Sequence, residues 1–218
     1  MNSPLLLVLG AGPGLGLSVA RRFGREGYAV ALAGQTAESM QPLVETLAEE
    51  GIVGSGLGVE LTDPEAVTAA VHSVGERAGR IDVLHFNPSA WREKDPLELT
   101  VAELFEDLAL GVAPLLPAVQ AARPFMSEGA RVLVTGSAAA DTPWHKAASL
   151  GVQKAGVRNL VTSLDAALEE FGIRAVAVQV NGLLAKEGPF APPAVADALY
   201  AATVRPNDGW TPHVSYDG

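Results

Sequence analysis

The chain has 218 residues, 48% hydrophobic and 18% charged, which is enough apolar material for a sizeable core and too little charge for a disordered segment. Its formal charge of −10 excludes a nucleic-acid partner, which needs a basic face, and its Lys and Arg residues are scattered singly, so nothing polybasic addresses a membrane surface. Cysteine is absent, which excludes disulfides, thiolate catalysis and cysteine-ligated metal.

In chain order, Leu5–Leu9 is a continuous apolar run of strand length, followed at once by Gly10-Ala11-Gly12-Pro13-Gly14-Leu15-Gly16. With no basic lead and only strand length, this run is neither a signal peptide nor a membrane span, and a soluble, cytoplasmic protein is expected. A helix then runs to about Gly27, a strand covers Tyr28–Ala33 and a second helix ends near Gly51. A strand is expected around Leu57–Leu61. Thr62-Asp63-Pro64-Glu65 follows it, with a cap residue and a first-turn proline that start a helix. Ile81–Phe86 and Arg131–Thr135 read as buried strands on either side of one long helix over residues 100–122. A helix over about 147–171, a sixth strand Ile173–Val180, a short helix near Pro193–Thr203 and a last strand near His213–Tyr216 complete the chain.

Strands apolar on both faces, alternating with helices, predict a parallel sheet covered on each side. Right-handed crossovers then give a doubly wound α/β domain of about seven strands, with its ligand crevice at the carboxyl ends of the strands. No internal repeat or long linker divides the sequence, so residues 1–218 are expected to form one domain.

The strongest chemical signal is the loop after the first strand. Glycines at 10, 12, 14 and 16 permit a tight turn, let backbone N–H groups approach a pyrophosphate, and precede a helix whose positive end faces the anion. The alternative is an ordinary strand-to-helix turn. No HExxH, histidine pair at ligand spacing or Walker lysine is present, and no metal is expected.

With this spacing the chain resembles the short-chain dehydrogenase/reductase family, whose turn is TGxxxGxG; Gly10, Gly14 and Gly16 match its glycines. The resemblance extends over nearly the whole chain. It implies a Rossmann-type fold, an NAD or NADP cofactor, and hydride exchange with a small carbonyl or alcohol substrate. Gly12 and Leu15 fall in the same cofactor loop. Glu60-Leu61-Thr62-Asp63 is similar to the family's Asp-Val-Thr-Asp segment, which puts Glu60 and Leu61 near the adenine. Phe86-Asn87-Pro88-Ser89 stands where the family has Asn-Asn-Ala-Gly; only Asn87 matches, and Pro88 and Ser89 make that loop stiffer and bulkier. Asn181-Gly182 replaces a Pro-Gly beside the nicotinamide. Gln35, after the second strand, is neither the acid that would favour NAD nor the arginine that would favour NADP, so the choice of cofactor stays open.

Of the catalytic residues that the resemblance implies, Ser137 matches the serine that holds the substrate oxygen and Lys154 the lysine that holds the ribose. Leu150, four residues before Lys154, stands where the family has its proton-donating tyrosine, and Leu108 where it has an asparagine. Leucine has no proton to exchange, so the usual acid–base step cannot run as written. His145, in the loop before the helix of Lys154, is a substitute acid by its ordinary pKa, or simply a solvated residue. Ser137 could instead bond local backbone, and Lys154 could be a surface lysine. Trp91 and Trp144 fall on loops at the carboxyl edge of the sheet, either lining a pocket or anchoring those loops. Three functions follow: an oxidoreductase with an unconventional proton donor, a catalytically inactive NAD(P)-binding sensor or partner subunit, or a structural relic whose crevice holds no dinucleotide, for which Pro88, Ser89 and Asn181 speak. By resemblance the long helices at 100–122 and 147–171 pair in a homodimer or homotetramer.

Overall fold

In the computed structural model, which describes residues 3–218, seven strands form one parallel sheet in the order β3-β2-β1-β4-β5-β6-β7. The strands are β1 (Leu5–Leu9), β2 (Ala29–Gly34), β3 (Gly54–Gly58), β4 (Val83–Phe86), β5 (Arg131–Ser137), β6 (Arg174–Val180) and β7 (His213–Tyr216). The helices are α1 (Leu15–Gly24), α2 (Ala37–Glu49), α3 (Pro64–Ala78), α4 (Val101–Gly111), α5 (Leu115–Ala122), α6 (Ala148–Leu168) and α7 (Pro192–Thr203).

Two apolar layers sandwich the sheet, which is why its central strands carry no polar alternation. One layer packs Val67 and Val71 of α3, Leu115 of α5 and Val157 and Val161 of α6 against Leu7, Leu84 and Val132. The other packs Val19 and Phe23 of α1, Leu47 of α2 and Val195 and Leu199 of α7 against Leu6, Leu32 and Val176. Asp63 caps α3 by accepting from the N–H groups of Glu65 and Ala66 at 2.9 and 3.3 Å, with Pro64 in the first turn, as its sequence predicts.

Two expected elements differ. The third strand lies at Gly54–Gly58 rather than Leu57–Leu61, paired from Val30↔Gly54 to Gly34↔Gly58. Its composition, Gly-Ser-Gly-Leu-Gly, has no hydrophobic run to read, because α2 lies directly on it. A Cβ at Gly56 would come within 2.7 Å of Met40 Cβ, and one at Gly58 within 2.9 Å of the Ala37 nitrogen. The helix expected over 100–122 is two helices. Pro114 cannot donate to the carbonyl one turn back and its ring crowds that turn, and Val112 leaves helical geometry at φ −135°, ψ −58°.

The chain leaves β1 toward β2 and returns on the other side through β4, so a crevice opens between their carboxyl ends. Past β6, the segment to α7 is tied to the last strand. Asn181 N donates to Tyr216 O at 2.9 Å, Asn181 Nδ2 to Asp217 Oδ1 at 2.7 Å, and Tyr216 OH to Pro189 O at 2.5 Å.

Candidate active site

The crevice at the β1/β4 switch is a cleft of about 660 Å³. Gly10, Leu15, Gln35, Glu60, Leu61, Asn87 and Lys154 all line it, so elements far apart in sequence converge there. Gly10 turns the chain at φ +72°, where a side chain would be strained and a Cβ would meet Pro88 Cγ at 2.9 Å. Gly16 lets α1 approach the turn, since a Cβ there would lie 3.0 Å from Ala11 Cα. Gly12 and Gly14 are outside the cleft lining; a Cβ on either would meet nothing within 4 Å. No side chain caps the N-terminus of α1 at Gly14, and no acid stands in its first turn, so its positive end is left uncompensated.

Along the wall of the cleft runs a partly buried polar chain. Asn87 Nδ2 donates to Gly10 O at 3.1 Å and Asn87 Oδ1 accepts from Thr135 Oγ1 at 2.8 Å. Since the Thr135 hydrogen is committed there, Thr135 Oγ1 accepts from His85 Nε2 at 2.9 Å, which fixes the Nε2–H tautomer. Burial, with the charge of Lys154 adding, lowers the pKa of His85 to about 3, so the ring is neutral. The amide of Asn87 thus braces the glycine turn against β5. Lys154 is buried on α6 and donates from Nζ to Thr135 O at 3.0 Å; burial alone brings its pKa down to about 8. It is not a surface lysine.

Glu60 is exposed at the rim and accepts from both the N–H and the hydroxyl of Thr62, at 3.0 and 2.6 Å; these bonds lower its pKa. Gln35 is exposed and lines the same cleft.

A second cavity of about 620 Å³ holds Ser137, Leu150 and Gly182 together, with Trp91 and Trp144 in its wall. Ser137 Oγ accepts from Ala139 N at 3.2 Å, so the local backbone bond and the cavity position hold at once. A Cβ on Gly182 would come within 2.5 Å of the Phe190 ring, which seats the segment after β6. His145 lies elsewhere, exposed in a third, apolar groove between α4 and α6. On α4, Leu110 rather than Leu108 reaches the first cleft.

Three residues of the site carried weak sequence signals. Thr135 and His85 sit in strands dominated by aliphatic side chains, and a polar residue amid such a run was the available clue. Gln153, fully buried on α6, accepts from Ala90 N at 2.8 Å and donates to Ala90 O at 3.2 Å, clamping the loop after β4. Nothing in its sequence context marks it.

The short chain dehydrogenase family model matches residues 4–186, and the chain belongs to that family, whose members are NAD(P)-dependent oxidoreductases. Among relatives, the 1-cyclohexenylcarbonyl-CoA reductase of Streptomyces collinus is 27% identical over 195 residues, 84% of this chain and 69% of that protein. The uncharacterized oxidoreductase YxjF of Bacillus subtilis is 31% identical over 108 residues, 50% of this chain and 42% of that relative. A crystal structure of a dehydrogenase/reductase from Sinorhizobium meliloti superposes with a TM-score of 0.90 at 23% identity, covering 100% of this chain and 95% of that one. No described helix is long and apolar enough to cross a membrane.

Proposed function

We propose that residues 1–218 act as one Rossmann-type unit that binds NAD or NADP in the cleft at the β1/β4 switch and exchanges hydride with a carbonyl or alcohol held beside Ser137. One observation carries this reading: a buried lysine and a glycine turn, 144 positions apart, meet in the same cleft, beside the uncapped end of α1.

The residues present suit the dinucleotide. Gly12 and Gly14 leave open space where a side chain would bar close approach, and the end of α1 offers N–H groups to a pyrophosphate. Glu60 and Leu61 border the adenine end; Gln35 stands by the ribose without a charge to select NAD from NADP. Lys154 spends one hydrogen on Thr135 O and keeps the others for a ribose hydroxyl. A bound nicotinamide supplies the hydride chemistry. Ser137 keeps its own hydrogen to donate to a substrate oxygen, while Leu150 closes the cavity with no proton to give. Proton exchange at that oxygen then falls to water, and His145, in a different groove, takes no part.

Leu150 itself favours a second reading, in which the protein binds a dinucleotide as a sensor or partner subunit without turnover. Calorimetric titration with NAD(H) and NADP(H) tests binding, and a carbonyl panel assayed with wild type and Leu150→Tyr tests chemistry. Micromolar binding and measurable wild-type turnover are expected, raised at least tenfold in Leu150→Tyr. A silent wild type beside an active Leu150→Tyr establishes the second reading, and absence of any dinucleotide binding overturns both.

A further inference from the structure

Beside Ser137, Trp91 and Trp144 stack with ring centroids 6.1 Å apart and planes inclined by 27°, yet 59% and 47% of their surfaces remain exposed. Indole surface left in water is unfavourable, and here the chain holds it in place. Gln153 bonds both backbone groups of Ala90, the residue before Trp91. Arg92, the residue after it, forks onto the carboxylate of Asp107 through two 3.0 Å bonds and reaches Glu103 and Glu106 at 3.3 and 3.0 Å. The carbonyl of Trp144 accepts from Ala147 N at 2.9 Å, at the short 3-10 turn that leads into α6. An aromatic wall fixed from both flanks is preorganised to be covered by something flat.

Charge narrows the class. Among the described residues, no Lys or Arg lines this cavity, while Glu93 does. An anionic ligand would enter a site with no cation to meet it and a carboxylate against it. Ser137 Oγ, which accepts from Ala139 N, keeps its own hydrogen to give to a ligand oxygen in this cavity.

We propose that the cavity takes a neutral, flat, ring-bearing ketone or aldehyde, its ring laid on the Trp91–Trp144 wall and its oxygen accepting from Ser137. This deepens the redox reading and rests on it. Calorimetry with naphthyl methyl ketone and its ring-carboxylated analogue, each against the full chain with and without NADPH and NADH, tests it. Saturable binding of the ketone is expected, weakened about tenfold in Trp91→Leu and in Trp144→Leu. The carboxylated analogue binds at least tenfold more weakly than the ketone, and Glu93→Gln narrows that gap. Thermal melting checks that each variant is folded; should one unfold, Trp→Phe at the same position takes its place, with a smaller loss expected. No ketone binding, equal binding in the tryptophan variants, or equal affinity for the carboxylated analogue each overturns the proposal. Loss of dinucleotide binding with ketone binding intact instead overturns the redox reading alone.

Discussion

At the scale of single residues, Lys154 shows how burial and chemistry meet. Its ammonium has a pKa of about 8 in the fold, against 10.5 for an ordinary lysine. Between those values the unfolded chain binds the extra proton, so folding stability gains as pH rises through that window and is flat below it. Comparing urea midpoints of wild type and Lys154→Met from about pH 7.5 to about pH 9.5 should show wild type gaining up to about 2 kcal/mol relative to the variant. Parallel pH profiles would show that Lys154 is not desolvated. The same substitution is expected to weaken dinucleotide binding at least tenfold, which a calorimetric titration at about pH 7 reads separately. His85 is neutral in the fold while its unfolded ring titrates near 6.5, so its own gain in stability is complete by about pH 7.5 and adds nothing to this window.

At the scale of elements, α6 does more than display Lys154. Through Gln153 it grips the loop after β4, and Gly111 of α4 makes room for that grip, since a Cβ there would lie 2.0 Å from Gln153 Oε1. Gln153→Leu leaves the N–H and C=O of Ala90 unpaired and should lower stability by about 1–3 kcal/mol in urea denaturation. Gly111→Ala should cost a similar amount by the same route. The double variant should then fall short of the sum, because both remove one interaction. Full additivity would mean that the two residues act independently. The sequence made the alternation of strands and helices legible because buried parallel strands are apolar throughout, as Leu5–Leu9 and Val132–Val134 are. It misplaced β3, where glycine replaces hydrophobicity, and it ran α4 into α5, because one proline is weak punctuation in an apolar stretch. Of the site, the glycine turn was readable from spacing, and the place of Lys154 only through the family resemblance. The Gln153 clamp was not, since it exists only between segments 63 residues apart.

At the scale of the whole molecule, one face remains apolar. Val101 and Phe105 of α4 are 67% and 64% exposed, with Leu97 before them and Val152 of α6 across a groove of about 610 Å³. Such a stripe is the kind of surface that a two-fold partner covers, and we propose that it forms a homodimer, or part of a homotetramer. Light scattering at micromolar concentration should give a multiple of 22.5 kDa. Phe105→Glu should shift the mass toward the monomer without unfolding, as read by circular dichroism. A monomeric wild type would refute the assembly while leaving the cleft untouched.

On the proposed dinucleotide reading, the glycine-floored edge beneath α2 limits where coenzyme choice can be redesigned. Gly34 and Gly58 are each fenced in, by Met40 and by the backbone of Thr36 and Ala37, and Thr36 is engaged in the reciprocal cap with Ser39. Among these neighbours Gln35 alone has a side chain that is exposed and uncommitted. A swap toward aspartate or arginine therefore has a single affordable address, and the scaffold around it need not move.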